Sequence, residues 1–335
     1  MLKDMKIGVT GGSGFLGRHL LHMLDDASHL DLLARKSSRF SCLPSAANIV
    51  SGDCVTGEGL TRLAKNKDAL VHMAFMLFGA NWRDYFQTNI KACQNLVRAV
   101  NNLPPRERPK KIIFVSSLAA AGPCGELPGI NEKSNPAPVS AYGWSKLTCE
   151  NILSSAFGPD CVILRPAIIY GSGDRGLLPM FRAAGKGIGI SPGIGREFPV
   201  SAIHAADAAR AILLLCQNDA QGIYHLDDGN AYTMTQFSRA MAAAQNRENC
   251  RIIKMPLPCM KVSAAFSTLF ANILKKFIPG HRLPQWNMDK YYEARQEGWL
   301  SDSSRIRAEL GFNCSMSLAE GMKEAVQGYR AMGML

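Results

Sequence analysis

Short apolar runs separated by longer amphipathic stretches set the pattern of the first half of the chain. The runs at 5–10, 29–34, 48–52, 69–75, 111–116 and 161–165 are β-rich and nearly continuously apolar, as strands buried on both faces of a parallel sheet are. Stretches with helical spacing lie between them, near 14–26, 57–66, 84–102 and 141–156. Alternation of this kind predicts an α/β fold, a doubly wound parallel sheet with ligands at the carboxyl ends of its strands. After about residue 170 the pattern breaks. Gly and Pro crowd 171–199, with a short helix predicted near 177–185. A helix at 205–217, a strand at 222–226 and a helix at 317–331 follow, the last opened by Ser317 with Glu320 three residues on, a capping-box pattern. These elements place a nucleotide-binding domain over 1–170, to which the chain returns around 200–217, and a smaller substrate lobe over most of 171–335.

Two motifs carry chemistry on this frame. The first is Thr10-Gly11-Gly12-Ser13-Gly14-Phe15-Leu16-Gly17, directly after the apolar run Ile7-Gly8-Val9. A strand, a tight glycine turn and a helix make a pyrophosphate cradle. Gly11 allows the turn, Gly14 lets backbone approach phosphate, and Gly17 lets the helix pack on the strand. Backbone N–H groups at the helix start, around Ser13, Phe15 and Leu16, then face the anion. The spacing therefore predicts a Rossmann-type dinucleotide site. The end of the second strand selects the cofactor, because a carboxylate there suits the NAD ribose and an arginine suits the extra phosphate of NADP. Arg35 ends the run His29–Ala34, followed by Lys36 and Arg39, whereas Asp31 sits at its beginning. NADP is expected over NAD. Asp53, after Gly52 at the end of the third strand, reads either as a neighbour of the adenine or as a turn carboxylate.

The second motif is Tyr142-Gly-Trp-Ser-Lys146, with Ser116-Ser117 about 25 residues before it at the end of Lys111–Val115. Residues four apart on a helix share a face, so Tyr142 and Lys146 are expected to project together. The Lys146 ammonium is expected to lower the phenol's pKa and to reach the cofactor ribose. Tyr142 is then the general acid when a carbonyl is reduced and the base when an alcohol is oxidised. Ser117 donates to the substrate oxygen as charge grows there.

These pieces resemble the extended short-chain dehydrogenases/reductases, the group that contains the NAD-dependent epimerases/dehydratases. The similarity runs nearly end to end. It includes Gly52-Asp53, Val71-His-Met-Ala74, Thr88-Asn89, Leu164-Arg-Pro166, Ile169-Tyr-Gly171 and Ile203-His-Ala-Ala-Asp207 besides the two motifs. The resemblance implies that Ser117, Tyr142 and Lys146 form the catalytic triad, with Ser116 as the alternative serine. It implies that Ala74 borders the cofactor and that Asn89 supports the active-site hydrogen-bond network; the plainer reading of Asn89 is a helix N-cap. Nucleotide-sugar members usually carry Asn in the segment Arg165–Gly171, where this chain has Ile168. The variant is nearer to the 3β-hydroxysteroid dehydrogenase and dihydroflavonol-reductase-like branch, whose substrates are apolar. It also implies a homodimer paired through helices near 84–102 and 141–156.

Composition narrows this picture in a few places. Ten cysteines are scattered singly, which argues against zinc, a disulfide framework or any metal site and suits a cytoplasmic protein. The net charge of +11 is spread along the chain, which favours a solvated basic surface, able to attract an anionic cofactor, an anionic substrate or acidic lipid heads, over nucleic acid. No apolar run approaches the ~18–20 residues of a membrane span. Apolar residues at 262, 266, 269, 270, 273 and 277 form a helical stripe flanked by Lys261, Lys275 and Lys276. Three placements fit it: core, lid over an apolar pocket, or surface helix touching acidic lipid. Met76 and Phe78, after the fourth strand, are expected to line the same pocket as Ile168. The expected activity is interconversion of a secondary alcohol and a ketone on a hydrophobic, steroid-, terpenoid- or flavonoid-like molecule. The alternatives are a nucleotide-sugar epimerase or dehydratase, and a non-catalytic nucleotide-binding sensor or subunit.

Overall fold

Parallel strands buried on both faces need helices on both sides, and the chain supplies them in turn. The computed structural model describes residues 4–24, 29–40, 43–45, 47–79, 81–277 and 284–335. Its strands are β1 (Lys6–Thr10), β2 (His29–Ala34), β3 (Ala47–Ser51), β4 (Ala69–His72), β5 (Lys111–Val115), β6 (Cys161–Pro166), β7 (Ile168–Tyr170), β8 (Ile188–Pro192), β9 (Pro199–His204), β10 (Gly222–Leu226), β11 (Ala231–Thr233) and β12 (Arg251–Met255). Seven of them form one parallel sheet in the order β10-β6-β5-β4-β1-β2-β3. The order reverses between β1 and β4, and a crevice opens there at the carboxyl ends. Ile7, Val9, Leu32 and Val115 pack on one face, against the helices Phe15–His22 and Ala205–Gln217. Leu33, Leu70, Ile112 and Phe114 pack on the other, against Lys91–Asn101 and Ala141–Phe157.

The lobe has a core of its own, built on Tyr170, Phe181, Phe237, Met322 and Tyr329. Two small sheets, β11-β9-β7 and β12-β8, frame it. The strand at 222–226 belongs to the large sheet as its outermost member beside β6. The helix Leu318–Ala331 starts with the capping box of Ser317 and Glu320.

Several boundaries differ from the periodicity. The first helix covers Phe15–His22, and the last two positions of its predicted span, 25–26, lie outside the described residues. The fourth strand stops at His72 rather than 75, because the N–H groups of Met73 and Ala74 turn to Thr10 Oγ1 at 3.2 and 3.3 Å. The stripe from Val262 lies on the 21-residue helix Leu257–Phe277, and it is not core: Val262, Phe266, Leu269, Phe270 and Ile273 are exposed. The side chains of Lys275, Lys276 and Phe277 lie outside the described residues. By length and composition Leu257–Leu274 is apolar enough to cross a membrane, which a search for an unbroken apolar run does not find.

Candidate active site

The glycine turn joins β1 to the Phe15–His22 helix. Gly11 has φ +79°, and a Cβ on it would lie 2.7 Å from the Met73 carbonyl carbon. At Gly17 a Cβ would fall 2.6 Å from the Gly12 carbonyl oxygen and closer still to that of Gly11. The helix starts at Gly14, which caps it with no side chain, so the first N–H groups stay available to an anion. Gly11, Ser13 and Gly14 border a cleft of about 370 Å³ that continues past Arg35 and Asp53 to Ala74 and Asn89. Phe15 and Leu16 are half-buried behind the turn, Phe15 edge-on to His19 and Leu16 against the sheet's core. A backbone cradle that any side chain would fill fits a dinucleotide's pyrophosphate.

Arg35 is exposed at the cleft wall beside Ser38. Asp31 lies at the other end of β2, bound to Lys67 at 2.7 Å and accepting from Asn48 at 2.8 Å. Asp53 is a turn carboxylate, its Oδ1 accepting from the Val55 N–H at 2.7 Å, and it also borders the cleft.

Tyr142 and Lys146 stand one turn apart on the Ala141–Phe157 helix, and both are buried. Ser117 caps the short Leu118–Ala121 helix after β5, its Oγ accepting from the Ala119 N–H at 3.2 Å, and borders the same cavity as Tyr142. Ser116 points the other way, donating to the Glu150 carboxylate. Lys146 Nζ donates to the Val115 carbonyl at 2.9 Å and lies 3.4 Å from the centre of the Phe75 ring. Burial lowers its pKa to about 8. The expected lowering of the phenol's pKa is absent: burial pushes Tyr142 above the ordinary tyrosine value, the nearby Ser117 hydroxyl opposes this, and Glu293 reinforces it. The physical reason is that the lysine is drawn toward a carbonyl and a ring on its inner side while the phenol loses water.

Asn89 lies within a π-helical turn, Phe86–Ile90, and is not an N-cap. Its Oδ1 accepts from the Met76 N–H at 2.8 Å; its Nδ2 donates to the Met76 carbonyl at 3.1 Å and to Ser145 Oγ at 3.3 Å. π-turns recur at functional sites, and this one ties the cleft wall to the Ala141–Phe157 helix. Met76 borders the dinucleotide cleft, not the apolar pocket as expected, because those bonds hold its backbone to Asn89. Phe78 and Ile168 do border the second cavity, of about 950 Å³, with Ser117 and Tyr142 at its inner end and Leu177, Met180, Phe198 and Trp299 in its walls.

Three polar residues of this region carry no sequence signal, since they come from the lobe helix Met288–Ala294. Asp289 accepts from the N–H groups of Ala141 (2.5 Å) and Tyr142 (3.2 Å) and from the Tyr85 hydroxyl (3.1 Å). Glu293 accepts from Ser140 Oγ at 2.7 Å and pairs with Lys290 at 2.7 Å. Lys290 Nζ is 4.8 Å from the centre of the Tyr142 ring. His204 and Asp207 are structural: His204 pairs with Glu324 at 3.0 Å, and Asp207 accepts from the Ser315 and Met316 N–H groups.

Over residues 7–226, the sheet and its cleft, the sequence matches the NAD dependent epimerase/dehydratase family. The chain belongs to that family. It is an NAD(P)-dependent oxidoreductase of the extended short-chain dehydrogenase/reductase type. It is 27% identical over 333 residues to the ceramide reductase of Caulobacter vibrioides (strain NA1000 / CB15N), covering 98% of this chain and 96% of that one. It is 25% identical over 331 residues to the decarboxylating sterol-4-alpha-carboxylate 3-dehydrogenase of Dictyostelium discoideum, covering 94% and 98%. Among solved structures, the UDP-glucose 4-epimerase of Thermotoga maritima superposes with a TM-score of 0.74 at 20% identity, covering 98% of this chain and 99% of that one. That likeness is one of fold.

For this family member the cradle makes a direct prediction. Gly17→Ala puts a methyl group against two carbonyl oxygens, and forced overpacking costs about 1–3 kcal/mol. The variant is expected to fold but to bind NAD(P)H at least about tenfold more weakly, read by fluorescence titration. Wild-type affinity would show that the turn tolerates a side chain.

Proposed function

We propose that the enzyme is an NADP-dependent oxidoreductase that interconverts a ketone and a secondary alcohol on a hydrophobic, steroid-, terpenoid- or flavonoid-like substrate. The observation that carries this reading is the cavity of about 950 Å³, apolar in most of its wall, onto which Ser117 and Tyr142 open. Ile168 in that wall offers nothing to a nucleotide's phosphates. Relatives that act, by name, on a ceramide and on a sterol carboxylate support the same substrate class.

In this reading Ser117 donates a hydrogen bond to the substrate oxygen and Tyr142 supplies the proton. The nicotinamide, when bound, supplies or accepts the hydride. A phenol raised by burial keeps its proton at neutral pH, the form that can protonate the substrate oxygen when a ketone is reduced. Lys146 and Asn89 hold the cofactor side of the site, and Asp289 fixes the catalytic helix's first turn from the lobe.

Arg35 supports NADP. Arg35→Asp is expected to weaken NADPH binding about 10- to 100-fold, the worth of one or two charge-assisted hydrogen bonds, and to move preference toward NADH. Unchanged selectivity would remove Arg35 from cofactor choice. A homodimer through the helices Lys91–Asn101 and Ala141–Phe157 is proposed as well, with exposed Phe86 and Trp144 on this side; a monomer mass in sedimentation would count against it. Nine free thiols among the described residues suit a reducing cytoplasm, which fractionation checks.

The deciding experiment is a panel of ketosteroids, terpenoid ketones, flavanones and nucleotide sugars with NADPH or NADH, read by cofactor absorbance and product mass. Net NADPH oxidation with an apolar ketone is the expected result. Conversion of a nucleotide sugar without net cofactor change would overturn the reading.

A further inference from the structure

The Leu257–Phe277 helix wears its large apolar residues on the outside. Val262, Phe266, Leu269, Phe270 and Ile273 fall on one face by their spacing, and they are 56, 69, 58, 59 and 46% exposed. The opposite face is fastened to the lobe at several points. Ala264 and Ala271 are buried there. Ser267 Oγ donates to the Trp286 carbonyl at 2.6 Å, the Trp286 indole donates to Ser263 Oγ at 3.0 Å, and Thr268 Oγ1 accepts from the Met288 N–H at 2.9 Å. The helix is thus fastened by its small and hydroxylic residues and presents a contiguous greasy face, which the surface of a monomeric protein rarely carries without use.

We propose that this face docks in the plane of an anionic lipid bilayer. Charge selects the partner: Lys261 is exposed, the helix sequence also carries Lys275 and Lys276 and no Asp or Glu, and the chain has a net charge of +11. An amphipathic helix with lysines beside its apolar face is drawn to an acidic leaflet. A second copy of the chain is a poorer occupant, because an isologous contact sets this lysine-bearing, carboxylate-free face against itself. The helix lies along the surface and does not span it. Its 21 residues reach about 31 Å, but Ser263, Ser267 and Thr268 keep its other side bonded to Trp286 and Met288.

The placement also bears on the site. Trp286, which the helix holds, is in the wall of the apolar cavity. Docking therefore sets that wall at the lipid surface, where a membrane-dissolved substrate reaches Tyr142 without crossing water. This delivery step rests on the hydrophobic-substrate reading; the docking itself does not.

The test is flotation of the full chain, without substrate, with phosphatidylcholine vesicles that contain or lack phosphatidylglycerol. The wild type is expected to float with the anionic vesicles and much less with the neutral ones. The triple variant Phe266→Glu, Leu269→Glu, Phe270→Glu changes only exposed positions and is expected to lose at least about tenfold in partitioning while keeping its melting temperature and NADPH affinity. Lys261→Glu alone is expected to reduce partitioning about fivefold at low salt, which keeps the test decisive should the triple variant misfold. A wild type that stays in solution with both vesicles would overturn the proposal. So would a triple variant that floats unchanged, or one whose only effect is to turn a dimer into a monomer in sedimentation.

Discussion

Tyr142→Phe is expected to lower kcat by roughly 10²–10⁴-fold, the usual worth of a positioned general acid, which is about 3–5.5 kcal/mol of transition-state stabilisation. The substitution removes one hydroxyl and leaves the ring, which packs with Tyr85 at 5.9 Å between centres. NADPH affinity should stay within a few-fold, since the cradle at Gly11–Gly17 and the Arg35 wall are untouched. The fold should also hold, because the backbone N–H of residue 142 still donates to Asp289. The measurement is single-turnover NADPH oxidation with the ketone found in the panel, beside a binding titration. A Phe variant with full activity would take Tyr142 out of the chemistry; a variant that has lost cofactor binding would mean that the hydroxyl serves to hold the cofactor.

The second large effect falls on stability. Glu150 and Arg165 are buried and paired twice, Nε to Oε1 at 3.0 Å and a terminal guanidinium nitrogen to Oε2 at 2.6 Å. Ser116 donates to the same carboxylate, and His225 lies 3.4 Å from the guanidinium. Glu150→Ala leaves a guanidinium buried without its counter-charge, which costs about 3–5 kcal/mol and lowers Tm by roughly 4–7 °C in a protein of this size. Replacing both partners by Met removes the stranded charge, so the double variant should recover most of the loss. Thermal melts of the single and double variants check both statements. A single variant that melts with the wild type would show that water or a relaxed Arg165 makes good the missing carboxylate.

The two predictions differ in how far each was legible beforehand. Tyr142 and Lys146 stand out in sequence because an interval of four on a helix is a local property. Glu150, one further turn along that helix, looks like an ordinary surface carboxylate; only the packing of β6, which brings Arg165, turns it into half of a buried pair. Ser117 and Ser116 show the same division. Their place at the end of β5 follows from the apolar run, but which hydroxyl turns to Tyr142 and which to Glu150 depends on the helix that packs there. The phenol's acidity was misread for a related reason: proximity to Lys146 was counted, whereas burial dominates once the lobe closes over the site.

By itself the sequence determined the sheet, the glycine turn and the order in which Ser117, Tyr142 and Lys146 occur. Strand apolarity, φ-permissive glycines and helical spacing are written within a few consecutive residues, and they need no distant partner to be read. The tertiary structure alone decided the rest. Asp289 and Glu293 reach Ser140–Tyr142 across some 150 residues of chain. Met76 turned to one cavity and Phe78 to the other. The stripe from Val262 to Ile273 faces outward. A helix's periodicity is the same whether its apolar side looks toward a core or away from it, and only the neighbours that fold onto the other side fix the direction.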